Sequence, residues 1–160
     1  MILFFREQIQ VMIISPASFS DLPEILDLQR RAFQTEAEIL HDWTIQPLTE
    51  TLEEVQREFE AGPVLKACDE KTGQIVGSIR GRVKDGTLYF AKLVVHPDFR
   101  RQGIGRALLE ELEKTVPHQR AELFTRADNL GNVRLYESAG FRKVRTVKET
   151  DQLSFVFFEK

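Results

Sequence analysis

Apolar positions recur along this chain with two periods, and the switches between them mark out its elements. Residues 11–14 form a short apolar run closed by Ser15-Pro16, which predicts a strand. Leu22, Ile25, Leu26 and Phe33 then return every three or four positions and predict a helix, with Ser20 or Asp21 as N-cap and Pro23 in its first turn. Between Gln34 and Pro47 no period is legible. Helical spacing resumes with Leu48, Leu52, Val55 and Phe59, where Thr51 and Glu54 form a capping box and Gly62-Pro63 ends the helix. Residues 64–68, 75–83 and 88–95 read as strands, joined by turns at Lys71-Thr72-Gly73 and Lys84-Asp85-Gly86. Ile104, Leu108 and Leu112 mark a third helix that Pro117 closes. A strand over 122–126, a helix over 129–139 with Gly140 at its C-terminal end, and a hairpin of 141–148 with 152–158 complete the chain. The order β-α-α-β-β-β-α-β-α-β-β predicts an α/β (mixed α+β) fold with one mixed sheet, in which strands 88–95 and 122–126 pair in parallel. Residues 11–160 are expected to form a single domain and residues 1–10 an N-terminal extension.

Composition narrows the partners. The chain has 160 residues, 42% of them hydrophobic, with a net charge of −3, and its pI is about 5.7. That balance argues against a dedicated nucleic-acid binder. Cys68 is the one cysteine, so neither a disulfide framework nor a cysteine metal cluster is expected, no metal is assigned, and a cytoplasmic setting fits. The apolar residues Ile2 to Phe5 are too few for a signal peptide or a membrane span.

Against this acidic background one basic loop stands out: His96-Pro97-Asp98-Phe99-Arg100-Arg101-Gln102-Gly103-Ile104-Gly105-Arg106. It joins a strand to a helix N-terminus, where unpaired backbone N–H groups attract anions. Arg106 falls in the first helical turn, where a cation opposes the helix dipole and so suggests an anionic ligand. A dinucleotide fingerprint would need glycine where Leu108 stands, and a Walker loop would need Gly-Lys-Ser/Thr, which the sequence lacks.

What remains, Arg100-x-x-Gly103-x-Gly105, resembles motif A (Gln/Arg-x-x-Gly-x-Gly/Ala) of the GNAT superfamily of N-acetyltransferases. The downstream run Asn129-Leu130-Gly131-Asn132-Val133-Arg134-Leu135-Tyr136-Glu137-Ser138-Ala139-Gly140-Phe141 is similar to motif B of the same family, and the element order agrees from residue 11 to 159. The resemblance implies that acetyl-CoA is the co-substrate. It implies that backbone amides of Arg101, Gln102, Gly103, Ile104, Gly105 and Arg106, together with Arg100, hold its pyrophosphate. Leu93, Val94 and Val95 would then pair with the pantetheine arm, and a backbone N–H there would polarise the thioester carbonyl. Asn129 matches a cofactor-contacting asparagine, although N-capping jointly with Asp128 explains it equally well. Tyr136 matches the acid that protonates the departing thiolate, for which a phenol is suited because the two unperturbed pKa values, about 10 and 8.5, lie close together.

The family often carries a glutamate on the strand before motif A, but Tyr89-Phe90-Ala91-Lys92-Leu93 contains no acid. Glu36, Glu38 and His41 are therefore the candidates for the base and the acceptor pocket. His96 reads as an exposed residue of an X-Pro strand end. The acidic cluster over 36–42, with Glu50 and Glu53, suggests a cationic amine acceptor, with Trp43 either stacking on that cation or lining an apolar wall. The expected activity is transfer of an acetyl group to a primary amine of a small molecule or peptide, within a ternary complex. The alternative is a catalytically silent acetyl-CoA-binding module. A monomer or homodimer is expected, the latter using the strand Phe155-Val156-Phe157-Phe158.

Overall fold

In a computed structural model of the protein, residues 1–4 and 11–160 are described. Residues 5–10, within the expected N-terminal extension, lie outside the described residues. Eight strands form one sheet in the order β1-β2-β3-β4-β5-β6-β8-β7. They are β1 (Ile2–Phe4), β2 (Val11–Pro16), β3 (Val64–Asp69), β4 (Ile75–Lys84), β5 (Thr87–Val95), β6 (Arg120–Arg126), β7 (Arg142–Thr150) and β8 (Leu153–Glu159). The short β1 was not predicted; it pairs antiparallel with β2 at the edge. Five α-helices accompany the sheet: α1 (Leu22–Leu40), α2 (Gln46–Thr49), α3 (Leu52–Ala61), α4 (Ile104–Thr115) and α5 (Leu130–Ser138). Among the described residues no helix is long and apolar enough to cross a membrane.

The alternation of strand side chains builds two cores, one on each face of the sheet. Leu65, Ala67, Val76, Leu88 and Phe90 pack against Ile104, Leu108 and Leu112 of α4. Val64, Ile75 and Val94 pack against Leu22, Ile25 and Val55 of α1 and α3. Helix α4 comes close to β4 because Gly77 has no side chain: a Cβ there would lie 3.0 Å from both Ile104 and Leu108.

Two segments differ from the sequence expectation. Helix α1 runs to Leu40, through a stretch that had shown no period. Phe33, Glu36 and Leu40, spaced by three and four, all face the cavity described below, so this stripe is one the apolar count misses. Leu48 belongs to the short α2, separate from α3, whose Thr51–Glu54 capping box is present as predicted.

The feature that creates the site is in the middle of the sheet. Strands β5 and β6 pair in parallel, as predicted, but only between Thr87–Tyr89 and Arg120–Glu122. On its other side β5 slips against β4 between Ser78 and Arg80, so that Lys92 and Leu93 oppose Ile79 alone. Such a bulge bends and twists the strand that carries it. Lys92 sits in the left-handed region at φ 52°. Among the described residues the two strands do not pair beyond Tyr89 and Glu122, which leaves the β6-facing edge of β5 past Tyr89 without a strand partner.

Candidate active site

The loop between β5 and α4 has its backbone set for an anion. Arg101 and Gly103 both have positive φ, 62° and 81°. No side chain caps α4, whereas Thr51 caps α3 and Asn129 caps α5. Among the described residues the main-chain N–H groups of Arg101 through Arg106 find no acceptor. A row of unpaired N–H groups at a helix N-terminus is an anion cradle. A Cβ on Gly103 would meet no atom within 4 Å, so the cradle opens outward. The Gln102 side-chain oxygen is buried in the same loop without a partner among the described residues. This donor set fits a pyrophosphate.

The flanking side chains are less free than the sequence suggested. Arg106 is held by Glu110 at 2.8 Å and by Ser138, so its cation faces an internal carboxylate and only its backbone N–H serves the cradle. Arg100 ties the loop to α1 by donating to the Ala32 carbonyl. His96 is buried, with 6% of its surface exposed, and not an exposed strand end as expected. Its Nδ1 accepts from the Asp98 N–H, and its Nε2 lies 3.0 Å from Arg31.

Through the opening between β5 and β6 runs a cavity of about 600 Å³. Its wall takes Phe33 and Glu36 from α1, Ile45 and Gln46 from the start of α2, Ala91 and Leu93 from β5, Leu123 from β6, Asn129 and Tyr136 from α5 and its cap, and Phe155 and Phe157 from β8. The alternation of β8 divides its four apolar residues: Val156 and Phe158 enter the core, while Phe155 and Phe157 turn to the cavity and pack on Phe124. Tyr136 is 6% exposed, wedged edge-on between Phe141 and Phe158. Its hydroxyl has no hydrogen-bond partner among the described residues, and burial pushes the phenol well above its usual pKa. Asn129 caps α5 by accepting from the Asn132 N–H, and it also lines the cavity. Asp128 does not share the cap; it pairs with Arg126 at 2.5 Å.

Of the three base candidates, Glu36 alone reaches the cavity, where Arg126 holds it at 3.3 Å. Glu38 is exposed, and His41 ends α1 in a left-handed C-cap facing solvent. Trp43 is exposed and off the cavity wall, and Asp42 is spent on the Thr44 turn. Glu50 is not part of an acidic surface at all. It is buried at 3% exposure beneath the cavity, bonded to Arg80 at 2.9 Å and to Gln29 at 2.7 Å. Sequence reasoning missed this cluster because its members come from three separate elements, and it missed Lys92, which also lines the cavity. Burial pushes the Cys68 thiol up, which disfavours the nucleophilic thiolate. Among the described residues no group of three or more His, Cys, Asp or Glu side chains is placed to hold a metal ion.

The cradle assignment can be checked with a matched pair. Gly103 and Gly73 both have positive φ and open space around the Cβ position. Valine at either costs about 1–2 kcal/mol of backbone strain, so Gly103→Val and Gly73→Val should lower Tm alike. Calorimetric titration with acetyl-CoA should show affinity falling at least about tenfold, roughly 1.4 kcal/mol, for Gly103→Val alone. Equal affinities for the two variants would remove the loop from cofactor binding.

Residues 22–141 match the sequence profile of a family described as the acetyltransferase (GNAT) family. UPF0157 protein YqkA of Bacillus subtilis is 35% identical over 136 residues, 84% of this chain; the chain spans only 38% of that longer relative. Acetyltransferase ECA0875 of Pectobacterium atrosepticum is 32% identical over 105 residues, 62% of this chain and 73% of the relative. In three dimensions the structure of yncA from Salmonella typhimurium, solved with its cofactor acetyl-CoA, superposes with a TM-score of 0.72 at 23% identity, covering 93% of this chain and 92% of that one.

Proposed function

Because this chain belongs to the GNAT acetyltransferase family, we propose that it moves the acetyl group of acetyl-CoA directly to a primary amine within a ternary complex. The observation that carries this reading is one of placement. An uncapped row of N–H groups follows directly on β5, whose Leu93 lines the same cavity as Tyr136, and a Cβ on Gly105 of that row would lie 3.8 Å from the Leu93 side chain. In this reading the N–H groups of Arg101 to Arg106 hold the pyrophosphate. The free edge at Leu93 to Val95 aligns the pantetheine arm, and a backbone N–H there stabilises the charge that develops on the thioester oxygen.

Glu36 takes the proton that the acceptor's ammonium must lose, directly or through water, and Arg126 fixes the carboxylate for that purpose. Tyr136 returns a proton to the departing thiolate. Its raised pKa keeps the phenol protonated and so able to donate. Holding both reactants in one cleft supplies much of the rate, since bound reactants behave as if at high effective concentration.

Incubation with acetyl-CoA and a panel of small-molecule and peptide amines, followed by free-thiol detection and product mass, tests the reading. Thiol release with matching acetylated product is the expected result. Tight acetyl-CoA binding with no release for any amine would favour the silent binding module instead.

A further inference from the structure

Lys92 is the cation on the cavity wall that, among the described residues, has no carboxylate of its own. Arg126, the other cation there, is paired with Asp128 and Glu36. The Lys92 ammonium donates to the neutral side-chain carbonyl of Gln46. The carboxylate that acts on it most strongly is Glu50, but Glu50 already serves Arg80 in a buried pair. Lys92, Arg80 and Glu50 together therefore carry one uncompensated positive charge. Burial pulls the Lys92 ammonium below the usual lysine range, a pull that an anion bound beside it would oppose.

Its position gives that charge a use. The bulge of β5 places Lys92 at φ 52° directly before Leu93, where the free strand edge begins. The rest of the cavity wall is largely apolar, with Phe33, Ile45, Phe155 and Phe157, and carries two acids: Glu36, which Arg126 holds, and Glu149 on the distant strand β7, which makes no ion pair with Lys92. An amine acceptor with an apolar body leaves the lysine unanswered unless it brings an anion. We infer that the acceptor is an apolar amino acid whose free carboxylate is bound by Lys92 beside the reacting amine. This rests on the transferase reading, and it replaces the cationic acceptor that the acidic stretch around Glu36 and Glu50 had suggested.

The test separates recognition from turnover. Apolar carboxylates that lack an amine, such as 3-phenylpropanoate and its branched and straight-chain counterparts, are titrated calorimetrically into the CoA-loaded protein beside the corresponding amides. The carboxylates should bind at least about tenfold more tightly than the amides, as one charge-assisted bond allows. That gap should close in Lys92→Met and largely persist in Lys92→Arg. Equal affinity of acids and amides across the set, absence of measurable binding by both, or an equal loss of both in Lys92→Met overturns the assignment. Turnover is read separately, with phenylalanine against phenylalaninamide and phenylethylamine, where kcat/KM should favour the free amino acid. A protein that discriminated acids from amides yet acetylated none of the three would fail the transferase reading and keep the carboxylate site.

Discussion

Replacing Tyr136 by phenylalanine is expected to lower kcat about 100-fold or more, the range over which a positioned general acid contributes. Acetyl-CoA affinity should stay within about twofold, because the ring keeps its edge contacts and the cradle N–H groups are untouched. Stability should hardly change: the lost hydroxyl had no partner among the described residues, so no buried group is orphaned. These three readouts together isolate the proton-transfer role. A merely structural tyrosine would show the loss in Tm, and a cofactor-binding one would show it in affinity. Because burial raises the phenol's pKa, Tyr136 should also set no alkaline limb in the kcat profile below its ordinary value near 10. Retention of kcat within about twofold in Tyr136→Phe would take the residue out of the chemistry.

The backbone of the loop was legible because its signals are local, whereas Tyr136 entered only through the family resemblance. Gly103 at positive φ and an uncapped helix end are decided within a few residues, and a basic run in an acidic chain is visible by eye. The acceptor side was not legible, for the opposite reason. Phe33, Glu36 and Leu40 form one helical stripe, but its middle position is charged, so a search for apolar recurrence loses it. Phe155 and Phe157 alternate with Val156 and Phe158, which announces a two-sided strand without saying that one side faces a void. Glu50 read as surface charge because its partner Arg80 lies thirty positions away. Lys92 entered the sequence argument only as the absence of an acid. The left-handed bulge that turns it into the cavity depends on the slip of β5 against β4, which no local pattern records.

Glu50→Gln should destabilise the protein by about 3–5 kcal/mol, the cost of leaving one member of a buried ion pair alone. For a chain of this size that corresponds to a fall in Tm of roughly 6–20 °C. Arg80 is 4% exposed, and among the described residues its guanidinium has only Glu50 and Gln29 as partners, at 2.9 and 2.6 Å. Neutralising the carboxylate strands that cation. Replacing both charges, as Glu50→Leu with Arg80→Met, removes the stranded charge and should recover most of the loss, which excludes a simple packing defect. The pH dependence has a definite sign. Burial alone would push the Glu50 carboxyl up, but hydrogen bonds from Arg80 and Gln29 and the Arg80 charge together hold it below its ordinary 4.5. Below that value the unfolded chain binds more protons, so the stabilisation is complete above it and drains away as pH falls through the depressed native value. Tm of the wild type should therefore drop more steeply below that pH than Tm of Glu50→Gln; parallel acid limbs would contradict the assignment. Glu50 also anchors the chain leading into α3, since Gln29 bonds both it and the Pro47 carbonyl, and Gln46 and Pro47 line the cavity. Loosening that anchor should raise the acceptor KM while leaving acetyl-CoA affinity unchanged, because the cradle hangs from β5 and α4 on the far side of the opening.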